Sequence, residues 1–174
     1  MLFENISPEI ELITFTVLLK MHKNSAGILL YRFNNNSLEV FLVHPGGPYF
    51  AKKDNGAWSI PKGEFKVEES PLDAAKREFK EETGVDIPGT DFIELSPIEQ
   101  KNDKTVYAWA LQGNIDVSII KSNDFEIEWP PKSGKKQSFP EIDKGQWFYI
   151  ATAKQKINER QVPLLDELFK KLNL

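Results

Sequence analysis

Glu78, Glu81 and Glu82 stand at i, i+3 and i+4 in the run Arg77-Glu78-Phe79-Lys80-Glu81-Glu82-Thr83-Gly84-Val85. A helix turning about 100° per residue puts these carboxylates on one face within a single turn. Like charges that close repel unless something cationic sits among them. Hard divalent cations take oxygen ligands and commonly reach a protein through a few carboxylates plus the phosphates of a substrate, so metal-assisted phosphate chemistry is the first expectation. On its own, KREFKEE reads more readily as a solvated helix face laced with i,i+4 ion pairs. The wider pattern, with Gly63 and Glu69 ahead of the acidic run, favours the metal reading.

The helix that must carry these groups is well specified locally. Ser70 suits the N-cap, Pro71 the first helical position, Asp73 an acidic capping box, and Gly84 the left-handed residue that ends the helix. Leu72, Ala75 and Phe79 recur at helical spacing and form the expected buried stripe. The acidic face lies beside that stripe, so its carboxylates sit at the edge of the core, where a metal site is held rigidly. Arg77 and Glu69 read as scaffold, a bidentate pair tying the preceding loop to the helix.

Gly63, Glu69, Arg77, Glu78, Phe79, Glu81, Glu82, Gly84 and Val85 together resemble a complete Nudix box, without departure at a defining position. The resemblance implies an α/β fold, a mixed β-sheet sandwiched between helices in an α/β/α sandwich. It implies a hydrolase that cleaves nucleoside diphosphates linked to another moiety, using magnesium or manganese. On the same ground Glu78, Glu81 and Glu82 are the implied metal ligands, with the backbone carbonyl of Lys62 joining them. Glu82 and Glu78 are candidates for taking the proton from water; so is Glu141, which resembles the family's loop acid ahead of the last strand.

Composition agrees. The chain has 174 residues, 40% apolar and 28% charged, which bounds it to one ordinary globular domain. A formal charge of -4 argues against a surface that coats nucleic acid, though not against a small phosphorylated substrate whose phosphates meet metal first. Cysteine is absent, which excludes disulfides, thiolate metal sites and a Cys nucleophile and is compatible with an expected cytoplasmic location. The absence also argues against an isomerase use of the fold of the isopentenyl diphosphate type, whose chemistry is associated with a catalytic Cys. His22 and His44 are too few for a His-rich centre. The apolar run 10–19 is too short to span a bilayer, and Glu4, Glu9 and Glu11 stand where a signal peptide carries positive charge. No membrane association is therefore expected. Residues 1–20 read as an extension, and 21–174 as a single domain.

Along the chain, 26–33 and 38–43 are strand-like runs joined by an Asn-rich hairpin turn. Residues 57–60 read as extended, 92–95 and 105–111 as strands, 147–150 as the last strand, and 162–174 as a helix. The polar stretch 124–144 reads as a functional loop.

Substrate choice is less legible. Pro61-Lys62-Gly63 has Lys where many relatives have a second Gly, and this form resembles branches that hydrolyse dinucleoside polyphosphates or diphosphoinositol polyphosphates. Lys52, Lys53 and Lys62 are candidates for contact with additional phosphates. Tyr49, Phe50, Trp129 and Phe139 fall in loops at the expected mouth, where they could stack on a base. The leading substrate expectation is a dinucleoside polyphosphate or a nucleoside triphosphate. The alternatives are a diphosphoinositol polyphosphate hydrolase and a regulatory domain that binds nucleotide without turnover, against the latter of which the intact carboxylate set argues.

Overall fold

A computed structural model describes residues 23–66, 68–101 and 103–174. The expected extension, 1–20, and His22 lie outside the described residues. The main sheet is mixed and has the order β4-β5-β1-β2-β8, with β3 also paired to β1. Its long strands are β1 (Lys23–Asn34), β2 (Ser37–Pro45), β4 (Ile93–Gln100), β5 (Lys104–Gln112) and β8 (Ile142–Tyr149), while β3 (Lys62–Glu64) is short. The central pair, β1 and β5, is parallel, and the other pairings are antiparallel.

Strands β1 and β2 are apolar at consecutive positions because both faces of the sheet are covered. Ala26, Ile28, Leu30, Phe41 and Val43 point to one face, where they meet Ala74, Ala75 and Phe79 of α1 (Pro71–Thr83). Leu29, Tyr31, Val40 and Leu42 point to the other, against α2 (Ile150–Lys156) and α3 (Val162–Lys171), which supply Ala153, Leu164, Leu165 and Leu168. This is the sandwich of helices around a mixed sheet expected above. The hairpin between β1 and β2 closes through Asn35 and Asn36, both at positive φ, 48° and 61°, between the paired Asn34 and Ser37. Asn tolerates that conformation, which a two-residue turn needs at both positions.

Helix α1 starts at Pro71, after Ser70 at the N-cap position, and ends at Gly84, whose φ is 72° and whose N–H donates to the Lys80 carbonyl at 2.7 Å. The buried stripe is broader than the spacing implies: Ala74 and Thr83 join Ala75 and Phe79, with Leu72 partly buried beside them. Two local expectations need correction. Ser70 makes no side-chain cap bond, and Asp73 pairs with Lys76 at 3.4 Å. The stretch 124–144 is not a bare loop. It contains a two-stranded hairpin, β6 (Asp124–Glu128) and β7 (Lys136–Pro140), and then opens β8. The alternation Phe125, Ile127 against Glu126, Glu128 carries the strand signal, which the flanking prolines and lysines obscure. Ile150 begins α2 instead of ending a strand.

Candidate active site

Helix α1 brings its acidic face against β3, and the contact is made possible by Gly63. A Cβ there would lie 1.8 Å from Glu78 Oε2. Only a residue without a side chain lets the strand pass this close to the carboxylate. One residue earlier, the backbone N–H of Lys62 donates to Glu82 Oε2 at 2.9 Å. Strand β3 thus touches two of the helix carboxylates through adjacent residues.

Arg77 organises the remainder. Its Nε and Nη2 each donate to Glu69, at 2.9 Å to Oε1 and 2.9 Å to Oε2. Its Nη1 donates to Glu78 Oε1 at 2.5 Å and Glu81 Oε2 at 3.2 Å, and Nη2 reaches the Glu64 carbonyl at 3.4 Å. The forked pair with Glu69 ties the 64–69 loop to the helix and, despite some burial, raises the Arg77 pKa further. Its guanidinium is also the cation that moderates repulsion between Glu78 and Glu81.

Glu82 is the most strongly perturbed carboxyl. Burial pushes its pKa up to about 7, against the opposing pull of Lys62 and its amide, while Glu78 and Glu141 push the same way as burial. Glu78 is raised by burial, partly offset by Arg77. The Lys62 ammonium is lowered chiefly by burial; Glu82 and Glu78 oppose that effect and Lys104 adds to it. Glu64, though partly desolvated, is drawn down by Lys104 and Lys23.

Glu141 belongs to this cluster. Burial raises its pKa first, then the charges of Glu78 and Glu81. Its backbone is fastened on both sides. Its N–H donates to the Asn123 carbonyl at 2.8 Å, and Asn123 in turn donates its N–H to the Glu81 carbonyl at 3.2 Å. On the other side, Gly46 N–H donates to the Glu141 carbonyl at 2.8 Å.

Among the described residues, no three carboxylate or imidazole groups converge closely enough to hold an ion. The helix carboxylates are turned to different partners: Glu78 and Glu81 to Arg77, Glu82 to the Lys62 amide. The donor set nonetheless fits a hard divalent cation. Every side-chain donor is a carboxylate oxygen; burial chiefly, and mutual repulsion second, raise Glu78, Glu82 and Glu141, and a bound cation offsets both.

The residues expected at the mouth divide. Tyr49, more than half exposed, meets Trp129 of the β6–β7 hairpin edge-on at 5.3 Å. Phe139 packs on Phe125 at 6.3 Å, and the Phe125 ring and the Phe139 Cβ approach Gly47, which stands at φ 82°. The hairpin therefore closes over the 46–50 loop beside Glu141. Lys53 lies over the Phe50 ring at 4.8 Å and Lys52 is exposed. Among the described residues, neither is joined to the carboxylates by a hydrogen bond or ion pair.

Sequence reasoning missed His44, Asp143, Lys104 and Asn123. His44 and Asp143 are hydrogen-bonded across 99 positions, which no local spacing encodes. Lys104 opens β5, and its register opposite Lys23 brings it to Glu64. Among the described residues no helix is long and apolar enough to cross a membrane.

The NUDIX domain profile matches residues 21–168. Among curated proteins the chain is 32% identical over 102 residues to the m7GpppN-mRNA hydrolase dcap-2 of Caenorhabditis elegans, covering 59% of this chain and 11% of that one. It is 29% identical over 117 residues to mRNA-decapping enzyme subunit 2 of Saccharomyces cerevisiae, covering 67% of this chain and 10% of that one. The chain thus spans about a tenth of the length of these relatives. Among solved structures, the NUDIX domain of Shewanella oneidensis NrtR with ADP ribose aligns at a TM-score of 0.61 and 15% identity, over 96% of this chain and 99% of that one. A C. elegans Ap4A hydrolase binary complex aligns at 0.57 and 21%, over 87% and 98%. At these identities the structures bear on the fold.

Proposed function

The chain belongs to the Nudix family, and from this we infer that it hydrolyses phosphoric anhydride bonds, as a metal-dependent pyrophosphohydrolase acting on a dinucleoside polyphosphate, with a nucleoside triphosphate as the next class. The observation that carries this reading is the set of carboxylates Glu78, Glu81, Glu82 and Glu141, of which Glu78 and Glu82 lie against β3 while Glu141 feels the charges of the helix carboxylates. Glu78, Glu81 and Glu82, with the Lys62 carbonyl, would hold magnesium or manganese. When bound, that ion supplies charge neutralisation at the phosphate oxygens and a more acidic water. Glu141, more exposed than the helix carboxyls and with a raised pKa, accepts the proton from the attacking water. Arg77 and Glu69 keep the loop before the helix in place. Tyr49, Trp129 and Phe139 provide aromatic surface for a base, and Lys52, Lys53 and Lys62 supply positive charge for a longer phosphate chain.

The choice of substrate class is supported by the Pro61-Lys62-Gly63 form and by the relative whose name specifies m7GpppN-mRNA, in which two nucleosides at the RNA end are joined through phosphates. The test is nucleotide release with magnesium and with chelator across bis-adenosine polyphosphates, nucleoside triphosphates, ADP-ribose and diphosphoinositol polyphosphates. Metal-dependent cleavage highest on a bis-adenosine polyphosphate is the expected result. Turnover confined to diphosphoinositol polyphosphates or ADP-ribose would overturn the substrate assignment, and binding without cleavage anywhere would overturn the catalytic one.

A further inference from the structure

His44 is buried, with its side chain 2% exposed, near the end of β2. Its ring is held at both nitrogens. Nδ1 lies 2.7 Å from Asp143 Oδ1 and Nε2 2.8 Å from the Lys53 carbonyl. Both partner atoms are oxygens on separate segments of the chain, so the two contacts together fix the plane and position of the ring. Trp58 packs against the ring at 5.2 Å and removes its remaining freedom.

The two anchored segments flank the candidate site. Lys53 belongs to the loop that leaves β2 and carries Gly46, Gly47, Tyr49 and Lys52. Asp143 stands two residues beyond Glu141, at a break in the β2–β8 ladder: His44 pairs with Lys144, but Pro45 pairs with Ile142. Asp143 is the extra residue of that bulge, and a bulge re-aims a side chain. Here the re-aimed side chain is the one that reaches His44. A second fastening lies on the other side of Glu141. Gly46 donates to its carbonyl, and a Cβ at Gly46 would lie 2.0 Å from the Pro140 carbonyl oxygen.

We propose that His44 is a positioning residue for the hydrolysis: through Asp143 and the Lys53 carbonyl it locks the loop after β2 to the segment 140–143 and so fixes Glu141 relative to the carboxylates of α1. The proposal rests on the reading of Glu141 as the group that takes the proton from water. A carboxylate on a loop reaches the accuracy that proton transfer needs only if its backbone is held from more than one direction. The Asn123 bond supplies one restraint; the bulge, the histidine and Gly46 supply the other.

The experiment is a double-mutant cycle combined with amide exchange. In the metal-free protein, His44→Ala should speed hydrogen exchange at the Gly46 amide by about 10-fold or more, leaving Ala74 and Ile28 protected. With magnesium and substrate, His44→Ala should lower kcat by about 10-fold, and that loss should shrink below about 2-fold in a Glu141→Gln background. Asp143→Asn, which keeps shape and weakens the bond, should repeat both effects and carries the cycle alone if His44→Ala does not fold. Equal losses in the two backgrounds, or an unchanged Gly46 amide, would overturn the proposal while leaving Glu141 in its role. Parent-like turnover by Glu141→Gln would instead remove the role of Glu141, and this proposal with it.

Discussion

Glu82 is a buried carboxyl with a pKa pushed up to about 7, against 4.5 as the ordinary value. Between those values the folded protein keeps a proton that the unfolded chain has released, so stability falls as pH rises through the window. Above pH 7 the accumulated loss is on the order of 3 kcal/mol. Glu82→Gln keeps an oxygen for the Lys62 amide and has no charge to desolvate. In chelator, it should be more stable than the parent at pH 8, with the difference vanishing toward pH 4.5, as read by urea unfolding at both values. With metal and substrate, the same variant should lose turnover by orders of magnitude, because it removes one of the proposed ligands. A variant that is neither more stable nor slower would contradict the picture of a carboxyl held at an energetic disadvantage for function. The identity of Glu82 as a special group was readable from its spacing to Glu78 and Glu81. Its perturbation was not, since that depends on β3 covering it.

At the scale of the element, α1 and β3 form one unit whose tolerance is set at Gly63. Its hypothetical Cβ collides with the end of the Glu78 side chain rather than with backbone. That end is tethered to Arg77, so the collision is relieved by turning the carboxylate away instead of unfolding the strand. Gly63→Ala should therefore fold, lose at most about 2 kcal/mol, and lose far more activity than stability. Thermal melts beside kcat/KM separate the two outcomes, and a parent-like rate would mean that the carboxylate position at Glu78 is not critical. Helix α1 was legible because its punctuation is local: Pro71 at the start, Gly84 at the end, apolar residues on one stripe. The β6–β7 hairpin and α2 were not, because short elements draw their stability from neighbours. For β6 and β7 the neighbour is the 46–50 loop, met through Phe125, Phe139 and the Tyr49–Trp129 contact.

Among the described residues, the sheet separates two core clusters, and the candidate site carboxylates lie on the side of the cluster beneath α1. Leu165 is fully buried in the cluster beneath α2 and α3, on the face opposite α1. Leu165→Ala should lower stability by about 2–5 kcal/mol through the cavity it leaves. The rate per folded molecule should stay unchanged; urea unfolding and active-site-normalised kcat measure the two. A matching fall in kcat would mean that the sheet transmits packing defects across its thickness. From sequence alone came the carboxylate helix, because periodicity, capping residues and fixed spacings are properties of neighbouring residues, and, through the family resemblance that these residues carry, the expected sandwich architecture and the candidacy of Glu141. Tertiary structure alone decided the pairing of Lys104 with Glu64, the support of Glu141 through Asn123 and Gly46, and the bridge from His44 to Asp143. These contacts arise from strand register and a bulge, which bring together residues far apart in the chain and leave no periodic trace within it.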